Sequence, residues 1–300
     1  MNITISGSLG NIGRPLAKRL LSEGHQVTVI SSRAERKQEI EQLGAKAAIG
    51  VVGDAGFLTS AFRGADAVYA MTPPGLGGSN VVSNTVAAGR AYATALQKAG
   101  VQRVVMLSSI GAHLPDGNGP IKAIHQIEKL YQELSDVAVT FLRAGYFLTN
   151  FYNDIPMIAH AGIEGSNYPA TMRMPMVHPD DIAAVVAAEL TKPGASGKQV
   201  RYVVGDIRTG AEIAKVLGTA IGKPELPWIE FTDQQAIDGM MQAGLSEEIA
   251  KLYTEMGAGF RNGTIAAHFE QEGSPLVGTT KLEDFAVSFS KKFNESTIAA

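Results

Sequence analysis

The chain has 300 residues, 45% of them hydrophobic and 18% charged, enough to bury a sizeable core in one large domain or two smaller ones. A formal net charge of −3 with no long basic run argues against nucleic acid as a direct partner, and the lack of cysteine excludes disulfides, thiolate catalysis and cysteine-ligated metals. The opening MNITISGS has no charged region ahead of an apolar stretch, and no run of 18 or more apolar residues follows, so the expectation is a soluble cytoplasmic protein without a membrane partner.

Short β-branched runs predict strands at 2–6, 26–30, 46–52, 66–71, 103–109 and 138–143. Between them, helical patterning covers 11–23, 34–43, 56–63, 79–99 and 121–134. Strand and helix alternating in this way imply a parallel sheet with helices on both faces. Right-handed crossovers then give an α/β, Rossmann-like doubly wound sheet over residues 1–150. Past residue 150 the rhythm breaks. A helix at 180–190 and a strand at 199–205 are expected to return to the main sheet, so about 179–205 belongs with it. TGAE (209–212) is a capping box that opens a helix. KPELPWIEF (223–231) reads as a short edge strand, and helices follow near 233–243, 246–256 and 279–290. Residues 151–300 thus form a smaller, interleaved C-terminal lobe, a candidate for holding substrate or a partner.

The first strand runs into ISGSLGNIG (5–13), in which Gly7, Gly10 and Gly13 recur every third residue. A helix start carries unsatisfied N–H donors and partial positive charge, so a phosphate fits there when no Cβ blocks it. Gly7 can take the tight turn, Gly10 can let a diphosphate reach the backbone, and Gly13 can let the helix pack on the strand. Leu9, Asn11 and Ile12 complete the candidate loop, with Asn11 a candidate helix cap. The spacing resembles the extended and atypical members of the short-chain dehydrogenase superfamily.

The second strand ends ISSRAERK (30–37) with no carboxylate at its tip to hold a ribose diol. Ser32, Arg33 and Lys37 could bind a 2′-phosphate, which favours NADP(H) and leaves NAD(H) open. Glu35 works against that positive field. Asp54, after the third strand, could accept from an adenine amino group or cap its helix. Thr72 and Pro73 follow the fourth strand, Ser108 ends the fifth, and Gly145, Tyr146 and Phe147 follow the sixth. All are candidates for lining the ribose and nicotinamide.

The superfamily's Tyr-x-x-x-Lys pair is missing from IKAIHQIEKLYQEL (121–134). His125 and Lys129 share a helix face there, and His125 could donate a proton near neutral pH, with Glu128 orienting it or capping. Tyr146 is a second candidate donor. His125, Glu128, Thr140, Leu142, Arg143, Phe147 and Asn150, together with GSLGNIG, SRAERK, VGDAGF and MVHPDDIAAV, resemble the NmrA-like atypical short-chain dehydrogenases. That resemblance implies an NADPH-dependent reductase of a quinone, azo or triphenylmethane acceptor. The alternative it admits is a dinucleotide-binding redox sensor that presents a surface such as 243–260 to a protein partner. The methionines at 172, 174, 176, 240 and 241, with the apolar PMIAHAGI (156–163), could form an adaptable aromatic-binding pocket. The six histidines show no metal-ligand spacing, and homo-oligomerisation stays open.

Overall fold

The computed structural model describes residues 1–75 and 79–298. The two final residues of the expected 151–300 lobe lie outside the described residues. The first half runs β1 (Asn2–Ile5), α1 (Gly13–Ser22), β2 (Gln26–Ser31), α2 (Arg36–Gln42), β3 (Lys46–Ile49), α3 (Ala55–Phe62), β4 (Ala67–Ala70), α4 (Val81–Lys98), β5 (Arg103–Ser109), α5 (Ile121–Gln132) and β6 (Ala138–Ala144). Next come β7 (Tyr146–Phe147), a 3-10 turn (Leu148–Asp154), α6 (Ile155–Ala161), β8 (Glu164–Ser166), β9 (Arg173–Val177), α7 (Pro179–Thr191) and β10 (Lys198–Val203). The chain ends with β11 (Asp206–Thr209), α8 (Gly210–Ala220), β12 (Trp228–Glu230), α9 (Asp233–Gln242), α10 (Glu247–Arg261), α11 (Ala267–Gln271) and α12 (Leu282–Ile298).

Seven parallel strands form one sheet in the order β10-β6-β5-β4-β1-β2-β3, so the fold is Rossmann-like and doubly wound. β4 is buried at every position, as expected for a strand covered on both faces. On one face, Leu16, Ala17 and Leu20 of α1 pack with Ile182, Val186 and Leu190 of α7. On the other, Leu58 and Phe62 of α3, Tyr92 and Leu96 of α4, and Ile127 and Tyr131 of α5 form a second layer. α7 and β10 return to the sheet from the second half. Among the described residues, no helix is long and apolar enough to cross a membrane.

The remaining elements build a lobe over the carboxyl ends of the strands. Its core joins Leu148 and Phe151, Met174 and Met176, Ile213 and Leu217, and the α12 row Phe285, Phe289 and Phe293. The TGAE capping box forms, with Thr209 and Glu212 bonding each other's backbone. The C-terminal stretch is longer than its sequence pattern implies and packs on α8. The third strand is shorter than expected, ending at Ile49. A three-stranded sheet, β11-β9-β7, is not evident in the sequence pattern. Its strands are short, and the central one carries Pro175, which removes a ladder donor and masks the strand.

Candidate functional site

The strand ends, the glycine loop and the lobe enclose a cleft of about 1550 Å³. One end is the loop after β1. Gly7 and Ser8 both have positive φ, 95° and 56°, which turns the chain sharply out of the strand. A Cβ on Gly13 would stand 2.0 Å from the Ser8 carbonyl oxygen, so α1 can begin here only without a side chain. The close approach is to the loop itself rather than to the strand. Among the described residues, no hydrogen bond takes up the backbone N–H of Asn11, Ile12 or Gly13. Asn11 is not the helix cap: Ile12 holds that position and makes no side-chain cap bond. A helix start with free donors and no covering side chain fits an anionic diphosphate.

Gly7, Gly10, Asn11, Ile12 and Gly13 line the cleft, as do Thr72, Ser108, Gly145, Tyr146 and Phe147. Leu9 is instead buried in the core below the loop, and Pro74 rather than Pro73 faces the cleft. Ser6, absent from the sequence reading, ties the floor together. Its Oγ donates to the carbonyls of Tyr69 (3.1 Å) and Met71 (3.2 Å) and accepts from Met71 N–H (2.8 Å).

Ser32, Arg33 and Lys37 stand outside the cleft walls, beyond the end of β2. Arg33 is exposed, and among the described residues its guanidinium has no ion-pair partner. Lys37 lies 3.9 Å from Glu41. Two further cations were not anticipated: Glu39 on α2 pairs with both Arg14 on α1 and Arg36. Those guanidinium groups hold the Glu39 carboxyl below its usual range. Ser8 Oγ donates to Ser31 Oγ at 3.0 Å, and Ser31 Oγ accepts from Arg33 N–H at 3.2 Å, so the glycine loop is linked to the Arg33 turn. Asp54 caps α3, accepting from Gly56 N–H at 2.8 Å and Phe57 N–H at 3.1 Å.

The helical pair expected to carry acid–base work is not brought into the cleft. His125 Nδ1 lies 2.8 Å from the Ala112 carbonyl oxygen, which makes Nδ1 the protonated nitrogen, and Lys129 is exposed. Glu128 neither orients His125 nor caps. It is buried in a bidentate pair with Arg143, at 3.0 and 2.7 Å, and accepts from Ser108 Oγ at 2.5 Å. Ser108 therefore presents its hydroxyl oxygen, not its proton, to the cleft. Arg143 continues to Tyr202, whose hydroxyl lies 2.8 Å from His268 Nδ1.

The other end of the cleft is made by Asn150, Asn153 and Asp154, by Ser166, Asn167 and Tyr168, and by one side of α9 and α10. Met174 and Met240 of the expected methionine set line it, with Met256 added; Met176 is core and Met241 is exposed. From PMIAHAGI only Pro156 contributes. The 243–260 stretch is not left over as a free face: Ile249, Tyr253, Met256 and Phe260 form the cleft's roof. Glu248 crosses the rim and accepts from Asn80 N–H and Val81 N–H, each at 2.7 Å, at the start of α4.

Burial raises the Tyr146 phenol well above its ordinary range, and the Asp154 charge adds to the shift, so this hydroxyl stays protonated as a donor. Burial likewise pushes Asp154 up to about 7 and Glu164 well above the carboxylate range. Sequence reasoning missed this pair because neither residue belongs to a recognisable motif.

A model of the NmrA-like family matches residues 1–286. An NAD(P)H azoreductase of Xenophilus azovorans is 28% identical over 261 residues, covering 85% of this chain and 86% of that protein. The NADPH-dependent quinone oxidoreductase of Escherichia coli, solved with NADPH, superposes with a TM-score of 0.80 at 20% identity, covering 95% of this chain and 99% of that one. The triphenylmethane reductase of a Citrobacter species gives 0.80 at 17% identity, over 97% and 100%.

Proposed function

The chain belongs to the NmrA-like family, and from that membership we propose that it is an NADPH-dependent reductase of an electron-poor, quinone-like acceptor. The observation that carries this reading is one continuous cleft. It begins at a bare helix N-terminus and ends in a pocket of aromatic and methionine side chains. The related azoreductase, quinone oxidoreductase and triphenylmethane reductase agree with it.

In this reading Gly7, Gly10, Asn11, Ile12 and Gly13 hold the diphosphate through main-chain N–H groups. Ser32, Arg33 and Lys37, reinforced by Arg14 and Arg36, receive the 2′-phosphate. Asp54 keeps its free carboxylate oxygen for the adenine. Thr72, Ser108, Gly145, Tyr146 and Phe147 seat the ribose and nicotinamide. Bound NADPH supplies a hydride, and an electron-poor acceptor takes it readily once the two rings are held face to face.

Among the described residues, the cleft-lining side chains include no lysine, arginine or histidine, whereas Asp154, Glu247 and Glu248 are acidic. An anionic acceptor would meet no counter-charge there, so the substrate class is neutral or cationic. Titration with NADPH and NADH, followed on the same sample by neutral quinone, cationic dye and sulfonated dye, tests the reading. The expected result is tighter NADPH binding and NADPH oxidation with the first two acceptors only. Tight NADPH binding without turnover of any acceptor would make the protein a dinucleotide sensor instead.

A further inference from the structure

Two carboxyl groups at the acceptor end of the cleft have no use in the cofactor-binding scheme. Asp154 lines the cleft at the N-terminal boundary of α6. An aspartate there ordinarily accepts from the second or third N–H of its helix. Asp154 makes no such bond, and the second helical position is Pro156, which has no N–H to offer. Among the described residues, the Asp154 carboxyl makes no ion pair either. Deeper in the same wall, Glu164 is 1% exposed, and its Oε2 is buried without a partner. A buried carboxyl with an unpartnered oxygen and no cation beside it is held in its neutral, protonated form.

Resting on the reductase reading, we propose that Asp154 is the proton donor to the reduced acceptor, with Glu164 holding a second proton behind it. Hydride addition carries two electrons to the acceptor and leaves an oxyanion on a quinone or a nitrogen anion on an azo group. The O–H bond of the Asp154 carboxyl breaks as the new bond to that anion forms. The Asp154 carboxylate then takes a proton from Glu164 or from water at the cleft mouth. The overall balance is acceptor plus NADPH plus one proton, giving reduced acceptor and NADP⁺.

The neighbours fit this role. Tyr146, Tyr168 and Tyr253 are the titratable groups around the pair, and all three phenols are raised by burial, so none competes as an acid near neutral pH. Burial places the Asp154 titration near neutrality, at about 7, below the three phenols. An acid with that value divides its population between donor and conjugate base at working pH, which suits repeated turnover.

The test compares wild type with Asp154→Asn and Asp154→Glu, using NADPH and a neutral benzoquinone. We expect Asp154→Asn to bind NADPH as wild type does while kcat falls about 100-fold, the lower end for loss of a general acid. Wild-type kcat should decline as pH rises through about 7, where Asp154 loses its proton; the Asn variant should be flat and the Glu variant should restore the slope. Independently of turnover, infrared difference spectra should show a protonated-carboxyl band near neutral pH that the Asn variant lacks. An active wild type with an Asn variant of equal kcat and equal pH profile overturns the proton donor alone. A wild type that binds NADPH but reduces none of the acceptors overturns the reductase reading and the donor with it.

Discussion

The two walls of the cleft are held in place by different forces. The nucleotide wall stands on strands such as β4, buried at every position, with α1 and α7 packed beneath it. Opposite it stands the α9–α10 arch, in which α9 buries none of its residues and α10, which seats Ile249 and Phe260 in the interior, adds polar ties to that apolar contact. Asn167 Nδ2 donates to the Thr254 carbonyl and to Asp233, each at 2.9 Å, and Asp233 also pairs with Arg261 at 2.8 Å. Glu255 reaches Lys122 at 3.1 Å, and Glu248 spans to the start of α4. Apolar burial fixes a wall that must present the same main-chain groups to every cofactor molecule. The solvent-accessible pairs among these ties, Asp233 with Arg261 and Glu255 with Lys122, cost little to rearrange, which suits a wall that meets acceptors of varied shape.

The largest effect should come from below the nucleotide wall. Glu128→Ala leaves Arg143, 6% exposed, without its counter-charge, and should lower stability by about 3–5 kcal/mol in urea unfolding. A loss under about 1 kcal/mol would mean that this floor is no firmer than the arch. Arg33→Ala touches only the far end of the same wall. One charge-assisted bond is worth about 1.5–3 kcal/mol, so the preference for NADPH over NADH should shrink by roughly ten-fold or more, with stability unchanged. The smallest stability effect belongs to the arch. Asp233→Asn should cost about 1 kcal/mol or less, while raising the acceptor KM. Arg261 holds the Asp233 carboxyl below its usual range. Its contribution is therefore present above the ordinary carboxylate pKa and lost as pH falls through the lowered one. Acid should loosen the arch, seen as a rise in acceptor KM at low pH that the Asn variant lacks.

The same contrast explains what the sequence made legible. The sheet was readable because burial on both faces leaves continuous runs such as RVVMLSS and turn residues between them. The glycine loop was readable because backbone geometry there allows one residue type. Glu128 was misread because helical spacing placed it beside His125, whereas its real partner, Arg143, sits on a neighbouring strand. The arch was hidden for the same reason on a larger scale. Its ties join Asn80 to Glu248 and Lys122 to Glu255, and no local pattern encodes such pairings. Asp154 belongs to no sequence motif, and only the three-dimensional structure shows that its carboxyl makes no cap bond on α6 and lines the cleft.

The Glu248 bridge has a consequence for traffic. Its carboxylate occupies the first N–H groups of α4 with both oxygens, so the roof is pinned to the Rossmann half beside the dinucleotide seat. A coenzyme leaving by that side must first unfasten two short bonds, and one arriving finds them already made. The strength of that single carboxylate therefore sets how firmly the roof is held against the Rossmann half.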